Sequence, residues 1–177
     1  IELFSEKVAG FGYDDCLGHP TWFTPAEWLG SAQARRFPLH LLTTQPATRL
    51  HAQMDMGRVS QASKIAGREP MRINPADAAA RGIADGDVVR VFNDRGALLA
   101  GAVLSDALRP GVIQIATGAW YDPAEPGVAG SLEKHGNPNV LTLDKGTSRL
   151  AQGPSAQTAL VEVEKFRGEP PPVSAFA

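Results

Sequence analysis

The most regular alternation of apolar and polar positions lies in residues 73–115. Asn74 and Pro75 favour the start of a short helix, because a side-chain acceptor and an imino acid suit the first helical turn. Apolar side chains then recur with period two between turn residues, which is typical of half-buried strands. The pattern predicts one short helix and three strands, which are Val88–Phe92, Ala97–Leu104 and Val112–Ala116.

Outside this stretch the pattern is less regular. Residues 39–44 (LHLLTT) and 157–163 (QTALVEV) predict two further strands, and residues 1–5 (IELFS) a third. Glycine and proline are so frequent in residues 6–25 that we expect mostly loop there. Residues 118–136 predict a long aromatic loop, and the prolines after Glu169 predict a tail that is extended or disordered.

Length and composition fit a globular protein. With 177 residues the chain is long enough for one domain with a buried core. The net charge of −2 gives no electrostatic argument for binding nucleic acid or an anionic membrane surface. No apolar run approaches the roughly 20 residues of a membrane-spanning helix. The single cysteine, Cys16, excludes an internal disulfide and leaves the compartment open.

No catalytic motif stands out in the sequence. It contains neither a Gly-Lys-Ser/Thr phosphate loop, nor Gly-x-Gly-x-x-Gly after a strand, nor a Gly-x-Ser-x-Gly elbow. The four histidines lack the spacing of a metal triad, and Cys16 and His19 have no second pair to complete a zinc site. We therefore expect no catalytic and no metal-ligating residue in this chain, which favours a binding module.

A polar loop follows the predicted strand at residues 39–44. Thr48 and Gln53 offer neutral hydrogen-bonding groups, Arg49 a planar guanidinium and His51 an imidazole. Loops at strand ends often carry ligand-binding groups. An ordinary polar loop that leads into a helix has the same composition, so composition alone leaves both interpretations open.

Four blocks of the chain, in this order, resemble the carboxyl-terminal domain of bacterial molybdenum oxidoreductases. They are TTQPATRLHAQ (43–53), GREPMRINPADAAARGIADGDVVRVFNDRG (67–96), GAWYDP (118–123) and HGNPNVLTLDKGTSRLAQG (135–153). The branch that they resemble reduces dimethyl sulfoxide, trimethylamine N-oxide and biotin sulfoxide. The resemblance covers nearly the whole chain, including the amino-terminal IELFSEKVAGFGYDDC.

The resemblance implies a mainly β fold with short helices, in the form of a six-stranded double-psi β-barrel. We expect the barrel over residues 37–166, a connecting segment over 1–36 that packs on the barrel or on other domains, and a proline-rich tail over 167–177. The implied cofactor is bis(molybdopterin guanine dinucleotide) with molybdenum, held in the full-length enzyme. The positions that match cofactor-contacting loops of the family are Gln45, Thr48, Arg49, His51, Gln53, Asn139 and Gln152. We expect substitutions of Arg49 or His51 to weaken cofactor binding and to spare the fold.

The complete enzymes of this family are several times longer, and the serine that ligates molybdenum in this branch has no counterpart here. The chain begins at Ile1 without Met, so we expect a fragment that neither turns over an S-oxide or N-oxide substrate nor holds the cofactor firmly by itself. Its implied partners are the remaining domains of a parent reductase. The compartment follows the branch, which is cytoplasmic for biotin sulfoxide reductases and periplasmic for the other two types.

The sequence also supports an expectation of self-association and leaves one alternative function open. Aromatic residues between Phe4 and Trp28 are numerous enough to mediate self-association. Double-psi barrels also serve as protein-interaction modules without a cofactor, and the same helix and strand pattern suits that function. A small self-contained enzyme on this barrel would need a self-processed serine or a paired-carboxylate site, and the sequence offers no candidate for either.

Overall fold

In the computed structural model, which describes residues 3–155 and 158–177, six strands close into one barrel. The strands are β1 (Leu39–Thr44), β2 (Pro70–Ile73), β3 (Val88–Phe92), β4 (Ala97–Leu104), β5 (Val112–Ala116) and β6 (Leu160–Lys165). The helices are α1 (Glu6–Ala9), α2 (Arg58–Ala62) and α3 (Pro75–Ala79), and single 3-10 helices span Ala32–Arg35 and Pro138–Leu141. The prediction of a mainly β, six-stranded double-psi barrel with short helices is confirmed.

The strand directions bring three loops to one end of the barrel. The strands follow one another around the barrel in the order β1-β5-β2-β4-β3-β6. The pairs β1–β5 and β2–β4 are parallel, and the other four pairs are antiparallel. Strands β1, β3 and β5 therefore all finish at the same end. Residues 45–69, 93–96, 117–155 and 158–159 emerge there, and we call this the loop end.

The barrel interior is filled by side chains that alternate along the strands. Leu39 and Leu41 of β1 and Val89 and Val91 of β3 are at most 1% exposed, while their neighbours are partly exposed. Period-two alternation places these apolar residues on the inner face. The first six residues of β4 are all buried, because loops cover its outer face as well.

The central stretch folds largely as predicted. The Asn74 side chain accepts a hydrogen bond from the Ala76 amide, which caps α3. Strand β2 was not predicted, because it has only four residues and begins at Pro70. The last strand begins at Leu160; the predicted start at Gln157 lies outside the described residues. The predicted strand at residues 1–5 is wrong for residues 3–5, where Ser5 instead caps α1.

The N-terminal segment is attached to the barrel by one buried carboxylate. Glu27 is 5% exposed and forms a two-pronged ion pair with Arg95. It also accepts the Leu160 amide at 2.7 Å, where β6 begins. Trp22, by contrast, is 81% exposed and Phe23 is 48% exposed. The segment therefore packs on the barrel through Glu27 and leaves aromatic side chains on its outer surface.

Within the described ranges, no helix is long and apolar enough to cross a membrane.

Candidate functional site

The seven residues that the sequence singled out all lie at the loop end. Five have exposed side chains, Thr48 is half-buried, and the Arg49 side chain is fully buried. The five exposed residues are Gln45, His51, Gln53, Asn139 and Gln152. The long loop after β5 supplies Asn139 and Gln152, and the loop after β1 supplies the other five of the seven residues.

Gln45 and His51 form a pair at the surface of the loop after β1. The Gln45 amide nitrogen lies 2.8 Å from His51 Nδ1, and the His51 backbone amide donates to Gln45 Oε1 at 3.2 Å. His51 has φ +50, a left-handed backbone conformation that non-glycine residues rarely adopt. The pair lies beside a cleft of about 360 Å³, which is lined by Gln45 and Thr48 and by Arg72 and Gln114 on the outer wall of the barrel.

Arg49 is the buried member of this loop. Its side chain has no exposed surface and donates to the backbone oxygens of His51 at 3.1 Å and Thr117 at 2.9 Å. It also donates to Ser60 Oγ at 3.1 Å. Arg49 therefore ties the loop after β1 to the loop after β5 from the inside. The structure contradicts our expectation that substitutions of Arg49 spare the fold, because a buried guanidinium with these partners is part of the protein interior.

Three other charged residues complete a buried network around Arg49. Arg49 Nη2 lies 3.1 Å from Glu69 Oε2 and Arg49 Nε 3.4 Å from Asp55 Oδ1. Lys64 Nζ contacts the same two carboxylates at 2.9 and 3.0 Å. Burial opposes ionisation of Asp55, but the hydrogen bond from Lys64, the Trp120 amide and the charges of Lys64 and Arg49 together lower its pKa. Two cations and two anions leave the network electrically balanced.

The loop after β5 is organised around Glu133, a fully buried carboxylate. Its two oxygens accept four backbone amides, those of Asp122, His135, Gly136 and Asn137, at 2.6–3.2 Å. Burial raises the pKa of Glu133, and the four amides oppose that rise. One side chain thus holds residue 122 beside residues 133–137 and closes the part of the predicted aromatic loop that lies between them.

His135 lies where the two loops meet and is fully buried. Its Nδ1 lies 2.9 Å from the Trp120 carbonyl oxygen, which can only accept, so Nδ1 carries the hydrogen and Nε2 is a bare acceptor. Among the described residues Nε2 has no hydrogen-bond partner. Burial lowers the pKa of His135, and the nearby charge of Lys64 lowers it further. Asp55 Oδ2, 3.9 Å from Nδ1, opposes the shift.

The two loops also touch through backbone. Trp120 donates its amide to Asp55 Oδ2 at 3.0 Å and its indole N–H to the Ala52 carbonyl at 2.9 Å. Gly118 has φ +90, and a Cβ added to it would lie 2.0 Å from the His51 carbonyl oxygen. The geometry packs Arg49 and His51 against residues 117–120 as one unit, to which Gln45 is joined through His51, and Thr48 and Gln53 lie on the same loop.

Among the described residues, no hydrogen bond or ion pair joins the side chains of Asn139 and Gln152 directly to the loop after β1. The Asn139 amide donates to Asn137 Oδ1, and Asn137 in turn donates its side-chain amide to the Ala119 carbonyl at 2.8 Å. Gln152 donates its side-chain amide to the Ser148 carbonyl at 2.8 Å within its own turn. Both residues expose their side chains at the loop end, and Asn137 links Asn139 to Ala119 within the loop after β5.

Sequence reasoning missed the charged interior of the site. Asp55, Lys64 and Glu69 follow Arg49 at spacings of 6, 15 and 20 residues, which match no helical or strand period. A charged residue in a polar loop is usually exposed, so nothing in the sequence marked these four as a buried group. Across residues 3–155 and 158–177, no cluster of His, Cys, Asp and Glu side chains is arranged to hold a metal ion.

The chain is similar to known proteins over the barrel and the loops at its loop end. Residues 39–160 match the family described as the molydopterin dinucleotide binding domain. The dimethyl sulfoxide/trimethylamine N-oxide reductase of Cereibacter sphaeroides is 55% identical over 176 residues, which are 99% of this chain and 21% of that protein. Trimethylamine-N-oxide reductase 1 of Escherichia coli (strain K12) is 54% identical over 170 residues, which are 95% of this chain and 20% of that protein.

Two further facts follow from the comparisons. The chain spans about a fifth of the length of the curated relatives that it matches. Among solved structures, acetylene hydratase from Pelobacter acetylenicus superposes with a TM-score of 0.74 at 20% sequence identity, over 94% of this chain and 23% of that one. At that identity the likeness concerns the fold alone.

Proposed function

The chain belongs to the molydopterin dinucleotide binding domain family, and we propose on that premise that its loop end is the contact surface for a bis(molybdopterin guanine dinucleotide) cofactor. The observation that carries the proposal is the packed unit of the loops after β1 and β5. Its charged groups are paired inside, and neutral polar groups are left outside. In this arrangement Gln45, Thr48, His51 and Gln53 form the ligand-facing set.

The chemistry of these side chains fits a pterin dinucleotide. A pterin ring has fixed donors and acceptors along its edge, which amide and imidazole side chains can match. The cleft of about 360 Å³ beside Gln45 and Thr48 lies within the ~300–1,000 Å³ that ligand pockets commonly have. Arg49 contributes indirectly in this proposal, because its buried guanidinium fixes the carbonyl oxygen of His51 and so the position of the His51 ring.

Asn139 and Gln152 form a second, separate contact in this proposal. Both are exposed at the same barrel end as Gln45 and His51, on the loop after β5. A bis(dinucleotide) is long enough to reach two surface regions of one domain. We therefore assign these two residues to a more distant part of the cofactor than the residues beside the cleft.

We also propose that the chain is the cofactor-binding part of a molybdenum-dependent reductase of S-oxides or N-oxides, as its relatives are named. The metal and its dithiolene ligands supply the oxygen-atom chemistry in such enzymes, and the protein supplies position and electrostatics. The partners would be the domains that make up the other four-fifths of the relatives' length. This chain contributes binding and orientation, and no residue of it is assigned a catalytic role.

Hydrogen exchange tests the contact surface directly. The chain is compared alone and with millimolar GMP and a reduced pterin under anaerobic conditions. We expect the ligands to slow exchange only at residues 44–53 and 135–153, and Gln45→Ala should reduce this protection at residues 44–53. Gln33→Ala, the same change in the N-terminal segment, is the matched control and should leave the protection unchanged. Protection at neither loop, together with a protein captured by the loop end, would favour a protein-interaction module instead.

A reductase assay tests whether other domains are needed for catalysis. We expect no oxidation of a reduced viologen dye by the chain with dimethyl sulfoxide or trimethylamine N-oxide, whether or not cofactor is added. The full-length Escherichia coli relative serves as the positive control. Sustained turnover by this chain would contradict the proposal that other domains complete the active site.

A further inference from the structure

The C-terminal residues 170–177, which we call the strap, run back from β6 to the loop end. Arg68 donates to the Pro171 carbonyl oxygen. Ser174 donates its amide to Asp122 Oδ2 at 2.6 Å and its hydroxyl to Asp122 Oδ1 at 2.8 Å. Lys134 donates to Ser174 Oγ at 2.8 Å. The strap is thus fixed by hydrogen bonds with Asp122 and Lys134 of the loop after β5 and with Arg68 of the loop after β1.

The anchor point of the strap is buried. The side chains of Asp122 and Lys134 are 7% and 9% exposed and form an ion pair at 3.2 Å. Burial opposes ionisation of Asp122, but the two hydrogen bonds from Ser174 and the contacts of Lys134 together lower its pKa. Without the strap, this carboxylate would lose two of its donors, and a charged group that is largely shielded from water would be left short of partners.

Phe176 covers the place where the two site loops meet. Its ring centroid lies 5.1 Å from that of His135 at an interplanar angle of 85°. The same centroid lies 5.3 Å from the ring centroid of Trp120, and the two ring planes are tilted by 58°. Phe176 itself keeps 36% of its surface exposed, whereas His135 has none. The phenyl ring therefore forms the outer wall of the His135 environment.

We propose that the strap is a positioning element that holds the loop after β5 against the loop after β1, with Ser174 as its anchor and Phe176 as its cover. Trp120 and His135, the two residues under Phe176, are also the residues that contact Asp55 and Ala52 across the junction. The inference rests on the proposed function only for the identity of the ligand that the loops face.

Removal of the strap tests the inference. In a chain that ends at Glu169, we expect amides of residues 50–56 and 118–122 to exchange about tenfold faster or more, since local opening governs their exchange. Amides of β4 and β5 should keep their rates. Unchanged rates at both loops would overturn the inference. Equal acceleration in the strands and the loops would overturn it too, because the strap would then stabilise the whole barrel.

A point variant keeps the test valid if the truncated chain fails to fold. Phe176→Ala should admit water to His135, so NMR titration should show the His135 pKa rising toward its ordinary value. The charged groups that face this ring are Asp55, Lys64 and Glu69, and none of them is changed. Phe11→Ala, the same substitution at an exposed aromatic of the N-terminal segment, is the matched control. An unchanged His135 titration in Phe176→Ala would contradict the role of Phe176 as a cover.

The two proposals fail in different ways. If the strap positions the loops but they do not face a pterin dinucleotide, Phe176→Ala changes the exchange rates and the His135 titration, while GMP and pterin protect nothing. If the loops bind the ligand without help from the strap, ligand protection in Phe176→Ala equals that of the unmodified chain. Loss of protection in Phe176→Ala, with retention in Phe11→Ala, is the result expected when both proposals hold.

Discussion

At the scale of single residues, Arg49 departs most from what a surface loop leads one to expect. A guanidinium has five donors and is always charged, so burying it requires several acceptors in the right places. Arg49 finds them in Asp55, Glu69, Ser60 and two backbone carbonyls. Its role is therefore to hold backbone in place, while Gln45 and His51 pair with each other at the exposed surface of the loop.

We expect Arg49→Met to lower the free energy of unfolding by about 3–5 kcal/mol, because removing one partner leaves buried charges uncompensated. Urea denaturation measures this loss. Arg72→Met is the matched control, since Arg72 is exposed on β2 and has no ion pair in the described ranges; its effect should stay within about 0.5 kcal/mol. Similar losses in the two variants would contradict the importance of the buried network.

His135 predicts a pH dependence of stability. Burial lowers its pKa below the ordinary value of 6.5, so between these two values the unfolded chain binds a proton that the native chain does not. The free energy of unfolding should therefore fall as the pH drops below 6.5, by at most about 1.4 kcal/mol per pH unit. Denaturation of the unmodified chain and of His135→Gln between pH 7.5 and about 5 isolates this contribution.

The comparison of variants is needed because Glu133 acts in the opposite sense. Its raised pKa means that the native chain takes up a proton earlier than the unfolded chain, so acidification stabilises the fold through Glu133. The stability of the unmodified chain relative to His135→Gln should therefore fall on acidification, because only the unmodified chain carries the buried histidine. A constant difference in the His135 variant would contradict the pKa direction.

At the scale of elements, the contact between two loops defines the site. The loops after β1 and β5 come together because these strands are parallel neighbours and end at the same place. Gly118 allows the His51 carbonyl to approach its backbone, and Trp120 reaches Ala52 and Asp55. The parallel pairing of β1 and β5 is therefore what makes a two-loop site out of segments that are about 70 residues apart.

Gly118→Ala should separate these loops. The left-handed φ of +90 costs an alanine about 1–2 kcal/mol, and the added Cβ would also displace the His51 carbonyl and weaken its hydrogen bond to Arg49. Gly82→Ala is the matched control, because Gly82 has φ +64 and open space around it. We expect Gly118→Ala to lower the midpoint of thermal unfolding by at least twice as much as Gly82→Ala does. Equal shifts would mean that the loops do not depend on this close approach.

The elements that local chemistry determines could be predicted from the sequence. Strands β3 and β4 and helix α3 follow from period-two alternation, turn residues and the Asn74 cap. Strand order could not be read this way, because the partners of β1 begin at residues 112 and 160 and no local signal encodes such pairing. The resemblance supplied the barrel and the site loops. The inner role of Arg49 depends on Asp55, Lys64 and Glu69 meeting in space, which no periodicity predicts.

At the scale of the whole molecule, two surfaces carry exposed apolar side chains. The N-terminal segment exposes Trp22, Phe23 and Trp28 by 46–81%, although Glu27 between them is buried. The loop after β1 exposes Met54 and Val59 by 67% and 65%. Large contiguous apolar patches are uncommon on monomers. Under the proposed function, either surface is a candidate contact for the other domains of a parent reductase.

We expect the isolated chain to self-associate through the N-terminal aromatics, because they are larger and more numerous. Sedimentation velocity at increasing concentration should show a shift toward dimers, and Trp22→Ser with Phe23→Ser should abolish it. Met54→Ser with Val59→Ser is the matched double variant on the other surface and should leave association unchanged. The reverse pattern would assign the contact to the loop end.

The order of strand pairing also sets limits on how the barrel can form. The β3–β4 hairpin joins residues close in sequence, but β1 pairs with β5 and β6, whose first residues lie 72 and 120 positions beyond His40. Such long loops must close before the pairing contributes stability, so folding is expected to be slow and to begin at the hairpin. On a ribosome, β1 would wait for its first partner, β5, until residues near 116 had emerged, and for its second, β6, until residues near 165 had emerged. The barrel can therefore close only after its last strand has been synthesised.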